Sequence, residues 1–429
     1  MKKTYIFFTK LVILFLIIIF IFRITSFSYL IEYNLRQKIY FYSAFLIFIP
    51  VLINLFLCSF NEIKYLIKTN IFVFLYLLYS LYFIIKDPDQ LGRMVFFYEL
   101  FFLSIGFLLC KMFDNLDLIL KTFIYIVFTM NILTVIVFKI MEMKSHLIFV
   151  KYIQHFIIKY TFFNQSQYCT IYVNPNYAGI VTGICIFICI NYFKKRSILK
   201  YLFLVFSVWF IWFQQCRSAQ LALIFCAGGY VIEKCVRFIK PKQIASGFLI
   251  ISLFFSMVLV IFVFQNSNSK SEITTMTAKE NEINVFSSQR YLIWKMDLNG
   301  NKRELLFGTG NFEREKEARN NYIRKMFPTE KAKQLVESFW SFNTHNGYIG
   351  TLIVKGFVGL ILFILILLRR IHNMSDEEAK KWYLCLSFFF LVNIFESYFI
   401  TEIFLGCFIM MLLMGIGSVK NQQLMYHKK

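Results

Sequence analysis

Gly247-Phe-Leu-Ile-Ile-Ser-Leu-Phe-Phe-Ser-Met-Val-Leu-Val-Ile-Phe-Val-Phe264 is an unbroken run without a charge. It is about as long as a helix must be to cross the roughly 30 Å hydrocarbon core of a bilayer. The rest of the 429-residue chain has the same character: 59% of it is hydrophobic, 20% aromatic and only 16% charged. A soluble domain carries roughly 25% charged residues, so this chain lacks the polar surface to stay in water. Disorder, collagen-like repeats and a free-standing nucleic-acid binder are excluded. The net charge of +22, from 46 Lys and Arg against 24 Asp and Glu, points instead to cytoplasmic loops facing anionic lipid. An anionic substrate is a second reason for it.

Comparable runs recur at about 5–22, 39–58, 71–85, 94–110, 118–138, 177–193, 198–213, 218–232, 346–368, 380–395 and 400–418, giving about twelve spans in all. The expected fold is therefore all-α: a polytopic membrane helix bundle of about 12 transmembrane helices with one large external loop containing short helices. Residues 1–429 read as a single membrane-embedded domain, with spans over 5–264 and 346–418 and the loop at 265–345. Lys64, Lys68, Lys194-Lys195-Arg196, Lys234, Arg237, Lys240, Lys242, Arg369-Arg370, Lys380-Lys381 and the tail lysines Lys420, Lys428 and Lys429 fall in loops on the N-terminal side. The positive-inside rule then places both termini in the cytoplasm. Lys2-Lys3 and the run from Leu11 to Phe22 resemble a signal peptide, but Arg23-Ile24-Thr25 stands where a small-residue cleavage site would follow, so an uncleaved first span is expected. The ten cysteines form no CxxC pair and read as small buried hydrophobes.

Two external segments are longer than connectors need to be. The first, 139–176, mixes apolar and basic residues around His146 to His155, as an interfacial segment does. The second, 265–345, opens with the polar stretch Gln265 to Thr277 and turns heavily charged at Glu313-Arg-Glu-Lys-Glu-Ala-Arg319, with Pro328 dividing its helices.

Several places carry candidate chemistry. Arg217, in Gln214-Gln215-Cys216-Arg217-Ser218, joins two apolar runs with hardly a turn, which puts its guanidinium at the external surface. It either snorkels to headgroup phosphates or forms a fork for a phosphate-bearing lipid. His345, in Asn343-Thr344-His345-Asn346-Gly347-Tyr348, begins a span on the same side. Gly356 and Gly359 follow at a spacing that lets a neighbouring helix approach closely. Arg290 follows Ser287-Ser288, either of which suits an N-cap, so a helix start and a guanidinium would face an anion together. Gly308-Thr309-Gly310 has the form of a turn whose N–H groups can point at a phosphate. Asn174-Pro175-Asn176 is a turn and cap whose carboxamides also suit sugar hydroxyls. Asp87-Pro88-Asp89 imitates a metal-binding pattern but reads as a turn. Glu32, in the first external loop, reads as a solvated charge or as a carboxylate base. Glu396 and Glu402 are the carboxylates near the last hairpin, positioned to orient a base or the arginines.

Taken together, Asn174-Pro175-Asn176, Arg217-x3-Leu221 (also Arg217-x10-Gly228), Arg290 with Trp294, Gly308-x-Gly310 and His345-Asn346-x9-Gly356-x-x-Gly359 resemble the O-antigen ligase/polymerase superfamily of bacterial polysaccharide assembly. A second Arg-x10-Gly fails at Arg290, because Gly300 falls one residue short. The resemblance implies a helical bundle in the bacterial cytoplasmic (inner) membrane, with its loop capping a lateral opening. It implies an undecaprenyl-diphosphate-linked oligosaccharide as donor, with membrane lipid and a chain-length regulator and flippase of the same pathway as partners, and no nucleic acid. By position, Arg217 and Arg290 would grip the diphosphate and stabilise the charge that grows on it. His345 would bind or deprotonate the acceptor hydroxyl, as suits an imidazole. Asn174, Asn176, Asn346, Tyr348, Gly308 and Gly310 would complete the substrate-binding set. The transfer would invert the anomeric centre with no cofactor and no metal. A polymerase of repeat units is favoured as the broader group. A ligase delivering polymer to lipid A core or protein fits the same motifs. A flippase for lipid-linked sugars is the non-enzymatic rival, disfavoured because the motif residues gather at one face instead of mid-bilayer.

Overall fold

Apolar side chains in long runs leave the backbone no partner but itself in lipid, so the chain coils. The computed structural model describes residues 2–57, 70–86, 90–104, 117–142, 171–193, 197–236, 238–265, 290–327, 344–397 and 405–414, with a few single residues between. The helices α1 (Lys2–Arg23), α2 (Tyr33–Phe45), α3 (Phe48–Leu57), α4 (Ile71–Lys86), α5 (Gln90–Ser104), α6 (Asp117–Glu142) and α7 (Pro175–Tyr192) come first. They are followed by α8 (Ile198–Phe213), α9 (Arg217–Cys235) and α10 (Pro241–Gln265). The polar pair α11 (Arg290–Gly300) and α12 (Phe312–Met326) precedes α13 (Gly347–Asn373), α14 (Asp376–Val392) and α15 (Leu405–Met414). Among the described residues no regular element is a strand; one antiparallel bridge joins Thr25 to Tyr172.

The described part of each apolar run is mainly helical, and among the described residues three helices are long and apolar enough to cross a membrane by themselves: Leu118–Glu142 within α6, α10 and α13. Others are shorter, and the run at 39–58 is interrupted between α2 and α3, where Pro50 sits in the first turn of α3 and needs no N–H partner. The Asp87-Pro88-Asp89 turn, Glu402, Pro328, the basic loop 194–196, most of the 139–176 segment and the C-terminal lysines lie outside the described residues.

α14 packs against α7, α9 and α10, and α13 against α4 and α10. One continuous apolar core runs through them. The outward faces of α8, α9 and α10 carry exposed apolar side chains such as Val205, Phe225 and Phe254, as a surface turned to lipid requires.

α13 is broken. Gly356 has φ 69° and ψ 178°, so the helix stops and restarts there. The turn Leu305–Gly310 fills the break: Thr309 N and Gly310 N donate to the carbonyls of Ile353 and Val354, both at 2.9 Å. In return, Phe357 N and Val358 N donate to the carbonyls of Leu305 and Leu306, at 2.8 and 3.4 Å. Beside the break, Lys355 Nζ lies 3.0 Å from the Glu99 carboxylate and 5.2 Å from the Phe83 ring centroid. Tyr76 donates to the same carboxylate at 2.9 Å. α4, α5 and α13 are thus pinned together by one buried ion pair. The Gly356/Gly359 spacing does allow close approach: Gly359 faces Tyr79 of α4, and Gly356 meets the backbone of Leu306–Gly308 while also supplying the left-handed backbone of the break.

Gly356→Ala and Gly308→Ala should both be damaging, since each φ is positive and an added Cβ strikes the backbone of the opposite segment. We expect a loss of about 1–3 kcal/mol or more in each case, read as a lower melting temperature of the detergent-solubilised protein. Gly228→Ala, where a Cβ meets nothing within 4 Å, should leave it unchanged or raised.

Candidate active site

The hairpin between α8 and α9 turns at Gln215, which has φ 52°, and delivers Arg217 as the first residue of α9. Arg290 opens α11, whose start is fixed from behind: Tyr291 N donates to Ser287 Oγ at 3.0 Å and Leu292 N to Asn284 Oδ1 at 3.0 Å. Ser287 is the expected cap. With these N–H groups engaged, the guanidinium is what α11 presents to an anion. Arg217 and Arg290 line one cavity of about 430 Å³. Its outer wall is apolar and exposed, through Trp212 and Ile224. Two guanidinium groups beside an apolar, lipid-facing wall suit a molecule with an anionic head and a hydrocarbon tail.

Glu396 sits behind this cavity, 2% exposed, and bonds two of the candidate residues. Arg290 Nη2 donates to its Oε1, and His345 Nδ1 lies 3.4 Å from its Oε2. A carboxylate on Nδ1 turns the other ring nitrogen outward, which is how an orienting acid prepares a histidine base. The 3.4 Å separation is longer than an ordinary hydrogen bond; such contacts tighten when substrate is bound.

His345 is held in a left-handed conformation, with φ 48°, which a non-glycine residue adopts only when its surroundings impose it. On one side, the Thr344 carbonyl accepts from Trp294 Nε1 at 2.7 Å and the Thr344 hydroxyl donates to Glu315 Oε1 at 2.8 Å. On the other, Asn346 N donates to Ser397 Oγ, while the Asn346 side chain caps α13 and donates to the Ile394 carbonyl. Glu315 belongs to a buried cluster in which Arg319 Nη1 donates to Asp297 Oδ1 at 3.0 Å, both side chains being wholly enclosed. Burial pushes the carboxyls of Asp297 and Glu315 above the ordinary range. For Glu315 the nearby Asp297 charge adds to the rise, to about 8. For Asp297, Arg319 opposes it, leaving a value of about 6. Among the described residues Glu315 Oε2 and Asp297 Oδ2 have no hydrogen-bond partner, which is part of the desolvation that raises both carboxyls.

The structure brings Arg217, Arg290 and His345 into one neighbourhood and changes the roles of others. Asn174 caps α7, its Oδ1 accepting from Asn176 N at 2.8 Å. The Asn176 carbonyl accepts from Cys216 Sγ, which places this turn next to Arg217. Asn346 and Tyr348 are fully buried and bonded within the protein, Tyr348 donating to the Phe390 carbonyl. Their chemistry is positional, because no face is left for a substrate. Gly308 and Gly310 do not form a phosphate turn: the N–H groups of Thr309 and Gly310 are committed to α13 carbonyls. Glu32 is an exposed residue at the start of α2. Glu315, Asp297 and Arg319 were not singled out by the sequence, where Glu315 and Arg319 stand within a heavily charged stretch. Among the described residues no group of three or more His, Cys, Asp or Glu side chains is arranged to hold a metal ion.

The family model described as O-antigen ligase matches residues 202–364, a span that contains Arg217, Arg290 and His345. Over these residues the chain is similar to the O-antigen ligase family, in agreement with the resemblance carried by its motifs. The superfamily is embedded in the inner membrane and acts on lipid-linked oligosaccharides, and the apolar helices agree with that setting. Glu396 lies beyond the matched span. No curated protein and no solved structure matches the chain.

The buried carboxyl pair gives a stability signature. Both groups hold protons more tightly folded than unfolded, so the stability they contribute is present below the ordinary carboxylate range and is lost as pH rises toward about 8. The melting temperature should fall between about pH 5 and about 8, and Glu315→Gln, a permanent mimic of the protonated form, should flatten that slope. Asp297→Asn strips the partner from a fully buried Arg319 and should cost about 3–5 kcal/mol.

Proposed function

We propose that the protein is a metal-independent, inverting glycosyltransferase that polymerises undecaprenyl-diphosphate-linked oligosaccharide repeat units on the outer face of the bacterial cytoplasmic membrane. One observation carries the reading. Arg217 and Arg290 share a cavity with an exposed apolar wall, and Arg290 is joined through Glu396 to His345. The polyprenyl tail lies along Trp212 and Ile224 while the diphosphate rests between the guanidinium groups. The acceptor hydroxyl gives its proton to His345 Nε2 as its oxygen attacks the anomeric carbon from the face opposite the diphosphate. The bond from the anomeric carbon to the phosphate oxygen breaks, its electron pair leaves with the diphosphate, and the two arginines stabilise the charge. Glu396 holds the imidazolium that results. Asn174 and Asn176 stand beside this cavity as candidate sugar contacts.

The chain as a whole is read as one bundle of about twelve crossings with both termini cytoplasmic and 265–345 external. That sidedness is supported by the contact between the α4 end and the Leu305–Gly310 turn, where Tyr79 donates to the Phe307 carbonyl at 2.6 Å. It is supported again by the Thr25–Tyr172 bridge, since both of those segments are assigned outside. A ligase is the second reading, favoured by the description of the matching family model.

Purified protein in nanodiscs, given one undecaprenyl-diphosphate-linked repeat unit and nothing else, should yield a ladder of longer chains. Transfer that appears only when lipid A core or protein is added identifies a ligase, and silence in both assays sinks the enzyme reading. Arg217→Ala, Arg290→Ala and His345→Ala should each lower turnover by about a hundredfold or more. Arg217→Lys should also be poor, because a point charge does not replace a bidentate fork.

A further inference from the structure

A second cavity, of about 260 Å³, lies where the end of α4 meets the Leu305–Gly310 turn and the first turns of α12. It is separate from the cavity of Arg217 and Arg290 and shares no lining residue with it. Val354, whose carbonyl holds this turn, is seven residues along α13 from Gly347, or about 10 Å at 1.5 Å per residue, and His345 stands just before that helix.

The cavity is rigidly built. Gly308 and Gly310 hold left-handed backbone, and the turn is bonded across the α13 break. A Cβ on Gly310 would come within 2.9 Å of the Phe83 ring, so the aromatic floor fits closely against the turn. Asn311 is fixed as the cap of α12, accepting from Arg314 N at 2.9 Å. Its remaining walls are Glu304, Arg314, Glu317 and Asn321. Among the described residues the side chains of Glu304, Glu317 and Asn321 make no hydrogen bond or ion pair.

This lining selects a ligand class. Two carboxylates against one guanidinium repel a phosphate, so the diphosphate head that the first cavity favours is rejected here. The polar walls are a poor surface for a hydrocarbon tail. What they lack is hydrogen-bond donors for carboxylate and amide oxygens, beside a small apolar contact at the rim of the buried Phe83 ring. A sugar ring supplies both, with hydroxyl donors around its edge and C–H groups on its face. The volume lies just below the range of about 300–1,000 Å³ typical of ligand sites, which suits one or two sugar rings and not a long oligosaccharide.

We infer that this cavity is a distal glycan-holding site, taking a neutral or amino sugar of the chain some rings away from the anomeric carbon that reacts. The inference rests on the transferase reading for its purpose. A chain gripped here stays on the enzyme between transfers, so the site sets product length and not the chemical step.

The test uses the full chain in nanodiscs and two readouts. The first is binding of the lipid-free glycan released by mild acid from the lipid-linked repeat unit, followed by saturation-transfer NMR. The second is the length distribution of products from the lipid-linked unit itself. Glu317 and Asn321 lie one turn apart on the exposed face of α12, so Glu317→Gln with Asn321→Ala should leave the melting temperature unchanged. The double variant should bind the free glycan about tenfold more weakly and make shorter chains at an unchanged initial rate of transfer. Phe83→Leu should weaken binding in the same sense, while His345→Ala should bind the glycan normally and make no product. Free glycan that binds wild type and the double variant alike, or neither of them, overturns the inference. If the double variant loses binding but the wild type makes no product, the site stands and the transferase reading falls. If product forms with the same length distribution and binding in both proteins, the transferase reading stands and the site falls.

Discussion

A helix that stops inside an apolar protein must find partners for the backbone groups it releases, and the break at Gly356 is where this fold meets that requirement. The partners come from a segment some fifty residues earlier in the chain: Leu305 and Leu306 supply carbonyls, Thr309 and Gly310 supply N–H groups. Each such group left without a partner would cost about 1–3 kcal/mol. Closing the break therefore fixes the polar lobe of α11 and α12 against the bundle. From that single junction follow the position of Arg290, the support of Thr344 by Trp294 and Glu315, and the strained backbone of His345.

Charge is distributed between the two cavities in opposite ways. The site of Arg217 and Arg290 carries excess positive charge, with one carboxylate, Glu396, placed behind it where it orients two groups at once. The cavity above Phe83 carries excess negative charge. On the proposed reading, the first cavity suits the diphosphate of a lipid-linked donor and the second suits hydroxyl donors of its glycan.

Apolar runs were readable because lipid imposes them, and their described parts are mainly helical even where a helix is too short to cross alone. Arg217, Arg290 and His345 stood out for the related reason that an ionisable side chain next to such runs is expensive. Glu396 was visible only as a carboxylate near a hairpin, since nothing in the local sequence says that it bridges an arginine and a histidine. Gly356 was read only in part, because a glycine needed for close packing looks the same in sequence whether or not it also holds a positive φ. The cluster of Asp297, Glu315 and Arg319 was hidden by its setting. Glu313-Arg-Glu-Lys-Glu-Ala-Arg319 has the composition of a solvated helix, and only the pairing of α12 with α11 buries Glu315 and Arg319 while Glu313 and Arg314 stay exposed.

The seam at Gly356 also bears on how a large lipid reaches the arginines. Rotation of the polar lobe about that seam would strip partners from both sides of the break together, so lobe and bundle move as one body and the lobe is no lid. Arg217 is exposed on the α8–α9 hairpin, next to Trp212 and Ile224, which face outward. On the proposed reading, traffic to this site is two-dimensional, with a tailed donor sliding in along the hairpin from the surrounding bilayer.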